Sequence, residues 1–333
     1  GIAMYQFLKG FASKWLSLAG AVIYMYMPYR STDMYVRGAI GEIVVFVFLP
    51  LIALSAINLS SENTDSKPFL NIRWIGVGAL SLAGLILTHN ITAYMFLPFI
   101  FILVMVRLIV FKKSWRNLIN LISALLLALS VSLYFWLPAI LDSSLMKYDT
   151  VFNFVDHFPT LQQLITSYWG YGASVPGPND GMSFYLGSTG LIMILMGVLL
   201  TIILWKQFSK NQKIILSWAG ISFLVAVLMM NFRSIFIWQH VPLIPFFQFP
   251  WRFLIITTFV IPIFVVAFDS LKFKKIIALI IIALAIVTTF NNFHPHDYLG
   301  RVDSYYLNRY IPVPSASAEY SMLHEEYLRL PNG

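Results

Sequence analysis

Cysteine is absent from this chain of 333 residues, and charged residues make up only 11% of it. Without thiols the chain can form no disulfide, thiolate metal site or cysteine nucleophile, so redox chemistry is not expected. Soluble domains carry about 25% charged residues, and a soluble fold of this composition would lack the polar side chains to cover its surface. The chain also lacks P-loop, nucleophile-elbow and zinc-protease motifs, and it has no basic stripe interleaved with aromatics that would indicate a nucleic-acid partner.

Hydrophobic residues dominate instead, at 59% of the chain. Apolar runs of about 20 residues recur along its whole length, which is the length that a helix needs to cross a bilayer. Helix is favoured over strand because an open sheet cannot satisfy its backbone groups in lipid. The sequence therefore predicts an all-α, polytopic transmembrane helix bundle over residues 1–291 and a polar outer-face tail at 292–333. The predicted spans, about nine by this length criterion, are 10–28, 39–58, 72–89, 91–110, 117–138, 184–205, 213–231, 252–269 and 275–291.

Lysine and arginine are distributed unevenly between the two sides of this predicted bundle. If the N-terminus is cytoplasmic, 14 of the 22 basic residues fall on the inner side, whereas only three of the 14 acidic residues do. The sequence therefore predicts a cytoplasmic start and an extracytoplasmic end. The long connections, including an outer loop over 138–183, then lie on the outer side, where long loops on a rigid scaffold often carry function.

Four charged residues lie at the outer edge between the first two predicted spans, namely Arg30, Asp33, Arg37 and Glu42. Guanidinium groups at a membrane edge suit a lipid phosphate or pyrophosphate, because their forked donors match phosphate oxygens. Glu42 lies about one turn inside a span, where an ionisable group costs roughly 2 to 3 kcal/mol and therefore usually has a partner. The four charges are either an anion site or a salt-bridge cluster that fixes helix geometry, and both interpretations stay open.

His89 and Asn90 occupy a tight outer connection between the third and fourth spans. An imidazole at the water interface can act as base, ligand or hydrogen-bond donor, since its ordinary pKa of about 6.5 permits proton transfer at neutral pH. Asn90 has the side chain of a helix N-cap, which is its structural alternative.

A proline- and aromatic-rich stretch with Gln248, Trp251 and Arg252 opens the eighth predicted span. Trp251 fits an interfacial aromatic belt. Arg252 lies near the positive end of a helix, which is unfavourable unless an anion or carboxylate is close. Arg252 is therefore an anion-site candidate, and a snorkelling arginine is the alternative.

Adjacent aromatics and glycines around Trp169 and Tyr171 form the kind of surface on which sugar rings stack, although such a surface also lies flat on lipid headgroups. In the tail, His294, His296 and Asp297 are adjacent, and no cysteine or further ligand follows at a spacing suitable for zinc. We therefore predict no metal site there.

Four segments of the chain resemble a known family. PYRSTDMYVRGAIGE at 28–42, LTHNITAYMFLP at 87–98, FWLPA at 135–139 and FQFPWRFL at 247–254 resemble bacterial multi-spanning membrane proteins with a 6-pyruvoyl-tetrahydropterin synthase-related domain, which are similar to YfhO-type proteins. The resemblance implies a GT-C-like architecture, that of membrane glycosyltransferases with polyprenyl-phosphate sugar donors. It also implies a bacterial cytoplasmic membrane, and a catalytic acid in a first outer loop that is expected upstream of Gly1.

This resemblance implies roles for the candidate residues. Catalysis is assigned to His89, Glu42 and Asp33, whereas substrate binding is assigned to Arg30, Arg37, Asn90, Trp169, Tyr171, Gln248, Trp251 and Arg252. The expected partners are membrane lipids and a polyprenyl-phosphate sugar, with no organic cofactor, and arginines or a divalent cation would stabilise the leaving phosphate. The alternatives are a lipid or polysaccharide flippase or transporter and a non-catalytic scaffold of envelope assembly.

Overall fold

The computed structural model describes residues 1–61, 70–112, 114–145, 154–297, 300 and 302–304. Within these ranges the chain is helical and contains no strand, so the predicted all-α fold class is confirmed. The α-helices are α1 (Ile2–Leu8), α2 (Lys14–Tyr26), α3 (Pro28–Ser31), α4 (Ile40–Leu59), α5 (Ile72–Thr88), α6 (Asn90–Val110), α7 (Trp115–Val131), α8 (Leu133–Leu141), α9 (Leu161–Ile165), α10 (Ser188–Ile203), α11 (Lys210–Met230), α12 (Ile235–His240), α13 (Leu254–Val260) and α14 (Lys274–Thr289).

Five of the described helical segments are long and apolar enough to cross a membrane. They are Ile40–Leu59, Asn90–Val110, Lys210–Met230, Pro250–Ser270 and Lys274–Asn292. A sixth arises if α7 and α8, which meet at a bend of 71°, form one broken span. Helices α5 and α10 are apolar but shorter, at 17 and 16 residues. The count of nine spans thus stays a prediction, of which five or six have the necessary length.

The first predicted span, 10–28, is shorter in the structure than the sequence suggested. Its helix, α2, has 13 residues. Ser13 precedes the helix in an extended conformation, with its backbone N–H donating to Asp269 Oδ1 at 2.9 Å. At the other end Pro28 begins a new short helix, since proline is favoured at the first helical position but the residue before it avoids helical geometry.

The segment Pro250–Ser270, here called the central helix, forms the core of the bundle. It includes α13, and 89% of an apolar 18-residue stretch within it is buried. Helices α2, α10 and α11 pack around it. A Cβ added to Gly197 of α10 would lie 2.5 Å from Phe264 Cβ, so glycine permits the two helices to approach closely, as small residues do in membrane bundles.

One end of the bundle gathers basic segments that are far apart in sequence. Hydrogen bonds of 2.8 to 2.9 Å connect these segments, from Ser13 N to Asp269, from Gln212 Nε2 to the Phe11 carbonyl and from Lys210 Nζ to the Val110 carbonyl. We call this the basic end. Helices α2, α4 and α6 each run between it and the opposite end, which we call the site end. The basic segments therefore meet at one end of the bundle, and the side that each end takes in a membrane stays a prediction.

Candidate functional site

Glu42 is the centre of a buried cluster of charges at the site end. It lies in the first turn of α4 and is only 2% exposed. Its carboxylate accepts a hydrogen bond from Tyr29 Oη at 3.0 Å and has three cationic or imidazole neighbours. These neighbours are Arg37, Arg252 and His89. A buried carboxylate needs such partners, and the structure supplies them from three segments: the connection before α4, the connection between α5 and α6, and the start of the central helix.

Arg37 makes the strongest contact with Glu42. Its Nη1 and Nη2 donate to Oε2 and Oε1 at 2.6 and 2.9 Å, which is the bidentate geometry favoured by guanidinium and carboxylate. A single π-type turn over Thr32–Val36 places Arg37 one turn beyond Asp33, which also accepts from Nη1. The guanidinium Cζ lies 4.4 Å from the ring centre of Trp251. Arg37 is thus held by two carboxylates and one aromatic face.

Arg252 reaches the same carboxylate from the first turn of the central helix. Its Nε donates to Glu42 Oε1 at 3.3 Å, and Nη1 donates to the Phe247 carbonyl at 3.0 Å and to the Gln248 side-chain oxygen. Gln248 has a positive φ of 67°, a conformation that is unfavourable for a residue with a Cβ. The turn at Gln248 brings the preceding carbonyl and its own side chain onto Arg252. The predicted anion or carboxylate near Arg252 is therefore a carboxylate of the chain itself.

His89 completes the cluster from the connection between α5 and α6. Its Nδ1 accepts from the Thr92 backbone N–H at 3.2 Å, so His89 is the N-cap of α6, and Nε2 lies 3.4 Å from Glu42 Oε1. This arrangement leaves the Nε2 hydrogen for Glu42. Burial, together with the nearby Arg252 and Arg37, lowers the pKa of His89 to about 4 despite the Glu42 carboxylate. The imidazole is therefore neutral at pH 7.

Gly41 makes the approach of these segments possible. A Cβ at this position would lie 2.6 Å from the Thr88 carbonyl oxygen and 3.8 Å from the His89 ring. Only glycine thus allows the start of α4 to contact the end of α5 without displacing backbone. The glycine places Glu42 beside His89.

The charge balance of the cluster depends on Asp33. Asp33 is fully buried, and burial together with the Glu42 carboxylate raises its pKa well above the ordinary value, although Arg37 acts in the opposite direction. The guanidinium groups of Arg37 and Arg252 therefore share the two buried carboxyl groups of Glu42 and Asp33.

Arg30 and Asn90 lie apart from this hydrogen-bond network. Arg30 points toward α2, with Nη1 donating to the Tyr24 and Met25 carbonyls at 3.5 and 3.4 Å and with Cζ 5.3 Å from the Phe46 ring centre. Asn90 is exposed at the start of α6, where its side chain accepts from the next backbone N–H. The prediction that Asn90 is the N-cap of α6 is wrong, because the N-cap is His89.

Trp251 packs between an aromatic residue of its own segment and one that directly follows the outer loop. Its ring stacks on Phe249 with centroids 5.0 Å apart and on Phe184 at 6.1 Å. Trp169 and Tyr171 lie elsewhere: Tyr171 Oη bonds the His294 ring and carbonyl at 2.9 and 2.8 Å and packs against His296. In the part of the chain that the structure describes, no hydrogen bond or ring contact joins Trp169 or Tyr171 to the arginines.

The predicted tail is described only at 292–297, 300 and 302–304, and its other residues lie outside the described part. His296 contacts Asp297, while His294 contacts Tyr171. No group of three or more histidine and acidic residues within the described ranges could hold a metal ion.

Sequence reasoning missed two residues of the cluster. Tyr29 donates to Glu42 and accepts from Arg37 Nη1 at 3.2 Å. The second is Phe247, which acts through its backbone carbonyl and so leaves no signal in the sequence. Tyr29 lies in the PYR segment beside the charges, and its position there was the available signal.

Comparisons with known proteins identify no relative for this chain. No protein-family model matches it, and neither the curated proteins nor the solved structures contain a significant match.

Proposed function

We propose that this protein binds a polyprenyl-phosphate-linked sugar at its site end and supports glycosyl transfer there. The proposal is carried by Arg37 and Arg252, which are distant in sequence and share the single buried carboxylate of Glu42. The forked donors of these guanidinium groups match phosphate oxygens, so a phosphate group of the substrate would bind to them. Nη2 of Arg252 donates to no described residue, so this nitrogen is the donor proposed for the phosphate.

The proposed roles follow from the contacts. Arg37 and Arg252 would bind the phosphate and stabilise the charge that develops on it as the glycosidic bond breaks. A divalent cation could share this task. His89 is a hydrogen-bond donor rather than a base in this proposal, because its pKa of about 4 makes it a weak base. Glu42 and Asp33 position the arginines, and a general base would come from elsewhere.

The proposed setting is a bacterial cytoplasmic membrane with a GT-C-like arrangement of about nine crossings. The gathering of lysines at the end opposite the cluster supports a cytoplasmic basic end and an extracytoplasmic site end. In this arrangement the chain starts on the cytoplasmic side and ends outside.

A non-catalytic scaffold is the second candidate, and it is favoured because Glu42 already has partners within the chain. Glu42 already accepts from Tyr29 and Arg37, with Arg252 and His89 within 3.4 Å. Such a network can serve only to fix the packing of α4 against the central helix. A flippase has less support, because the middle of the long spans carries no charged residue along a path.

Binding to purified protein in nanodiscs tests the proposal. The ligands are a long-chain polyprenyl phosphate and the matching polyprenyl alcohol, and we expect the phosphate to bind at least ten-fold more tightly. R252K keeps the charge near Glu42 but loses the forked donors, so it should reduce this preference by about ten-fold, as for one charge-assisted hydrogen bond. R233Q is the control, because Arg233 is exposed on a connection at the same end.

Transfer of a labelled sugar from the polyprenyl-phosphate donor then separates the candidates. Phosphate-selective binding with transfer supports the transferase, and the absence of both selective binding and transfer supports the scaffold. Equal affinity for phosphate and alcohol, with R252K folded and unchanged, would remove Arg252 from any phosphate site.

A further inference from the structure

A groove of about 440 Å³ runs between α6 and α11 and reaches the charge cluster only at Phe247. Its walls are apolar along both helices, from Phe247 and Phe253 at the site end to Val106 and Trp205 at the basic end. Its volume is in the range of about 300–1,000 Å³ that small-molecule sites occupy. Lining residues such as Ile221, which is 60% exposed, show that the groove opens on the outer surface of the bundle.

Lysines mark the basic end of this groove. Lys213 lines it, with Nζ 5.5 Å from the ring centre of Trp205. Lys210 is the first residue of α11, with Nζ 5.0 Å from the Phe111 ring centre. Both lie in the first turn of α11, where the helix dipole is positive and a cation is unfavourable without an anion nearby. The end of the groove therefore combines positive charge with aromatic surface.

A buried arginine lies beside these lysines. Arg107 of α6 is 3% exposed and donates to the oxygens of Ser60 and Asn211 at 2.8 and 2.9 Å. Its partners in the described residues are neutral oxygens, and none of them is a carboxylate. The acidic residues of 62–69 lie outside the described part. Asp269, the described acid at this end, pairs with Lys274 at 3.3 Å.

We propose that this groove holds one anionic phospholipid. Its headgroup phosphate would lie against Lys213 and Lys210, and an acyl chain would follow the wall formed by Phe99 and Trp218. Charge complementarity favours this occupant, because the polar end of the groove is positive and the rest is apolar. A second copy of the chain fits less well, since it would have to bring an acidic surface and Asp269 is already paired. This lipid site is at the end opposite the charge cluster and does not depend on the proposed function.

Native mass spectrometry of the purified chain in detergent tests the headgroup. The probes are phosphatidylglycerol and phosphatidylcholine with the same acyl chains, and we expect tighter binding of phosphatidylglycerol. K213Q should weaken phosphatidylglycerol binding by about five-fold, as for one lysine near an anionic lipid surface, and K210Q/K213Q should weaken it further. Binding of phosphatidylcholine should weaken less, because its choline group offsets the charge of its phosphate. K272Q is the control, because Lys272 is exposed at the basic end and does not line the groove.

The acyl chain is tested by filling the groove. Ser217 is exposed on α11 and lines the groove, so S217W should reduce binding of both lipids. S130W makes the same change at an exposed position of α7 away from the groove and should leave binding unchanged. The proposal is overturned by equal affinity for the two headgroups, by full binding to K213Q, by an equal loss in K272Q, or by a lipid-free dimer formed through this groove.

Discussion

The buried carboxylate of Glu42 offers the sharpest test of the structure. E42Q preserves the shape of the side chain but removes its charge, and the new amide group would face guanidinium donors. Arg37 and Arg252 are only 16% and 9% exposed, so they cannot recover solvation in place. Breaking a buried ion pair by removing one partner costs about 3 to 5 kcal/mol. We expect a loss near the lower limit, about 3 kcal/mol, because Asp33 remains as a partner of Arg37.

The assay is the free energy of unfolding in mild detergent at pH 7. R233Q provides the control, because it changes one charge at an exposed position of the same end and should alter the free energy by no more than about 0.5 kcal/mol. The double variant E42Q/R252Q removes both partners together. Its loss of free energy of unfolding should be smaller than the sum of the losses in E42Q and R252Q by about 1 to 3 kcal/mol. Destabilisation by E42Q no greater than that by R233Q would refute the buried cluster, and additivity in the double variant would refute the contact between Glu42 and Arg252.

Three further predictions concern the same end of the molecule. Because the pKa of His89 is about 4 in the folded chain and 6.5 ordinarily, only the unfolded chain takes up the proton between these values. The contribution of His89 to the free energy of unfolding is therefore complete above pH 6.5, and this free energy should fall by up to about 3 kcal/mol as the pH falls to 4. In urea titrations, H89Q should flatten this dependence on pH. G41A should lower the free energy of unfolding by about 1 to 3 kcal/mol, because the new Cβ would meet the Thr88 carbonyl. G76A is the control: it has open space around it and should be neutral or stabilising. Equal melting temperatures of the two variants would contradict the close approach at Gly41. L243G should raise the free energy of unfolding by about 1 kcal/mol, because Leu243 is exposed and has a φ of 73°, which is unfavourable for a residue with a Cβ. A melting temperature no higher than that of the unchanged chain would contradict this backbone conformation.

The sequence alone identified most residues of the cluster but not how they meet. Arg37, Glu42, His89 and Arg252 were selected because charged or titratable groups at a membrane edge need partners. The salt-bridge interpretation of the first segment was correct for Arg37 with Asp33 and Glu42. It was wrong for Arg30, which turns toward the end of α2. No sequence rule distinguishes two arginines seven residues apart when a π-type turn decides which one faces the acid.

Composition and hydrophobic run length were sufficient to determine the all-helical class, because lipid leaves few ways to satisfy backbone groups. The positions of lysine and arginine between the apolar runs were also sufficient to predict that the basic connections lie at one end of the bundle. Only the tertiary structure decided that α2 has 13 residues, that α7 and α8 meet at 71°, and that the central helix is buried on nearly all sides. Helix ends and long-range pairs depend on contacts such as that of Glu42 with Arg252, 210 residues apart. Such contacts are set by packing in three dimensions and leave no periodic trace in the sequence.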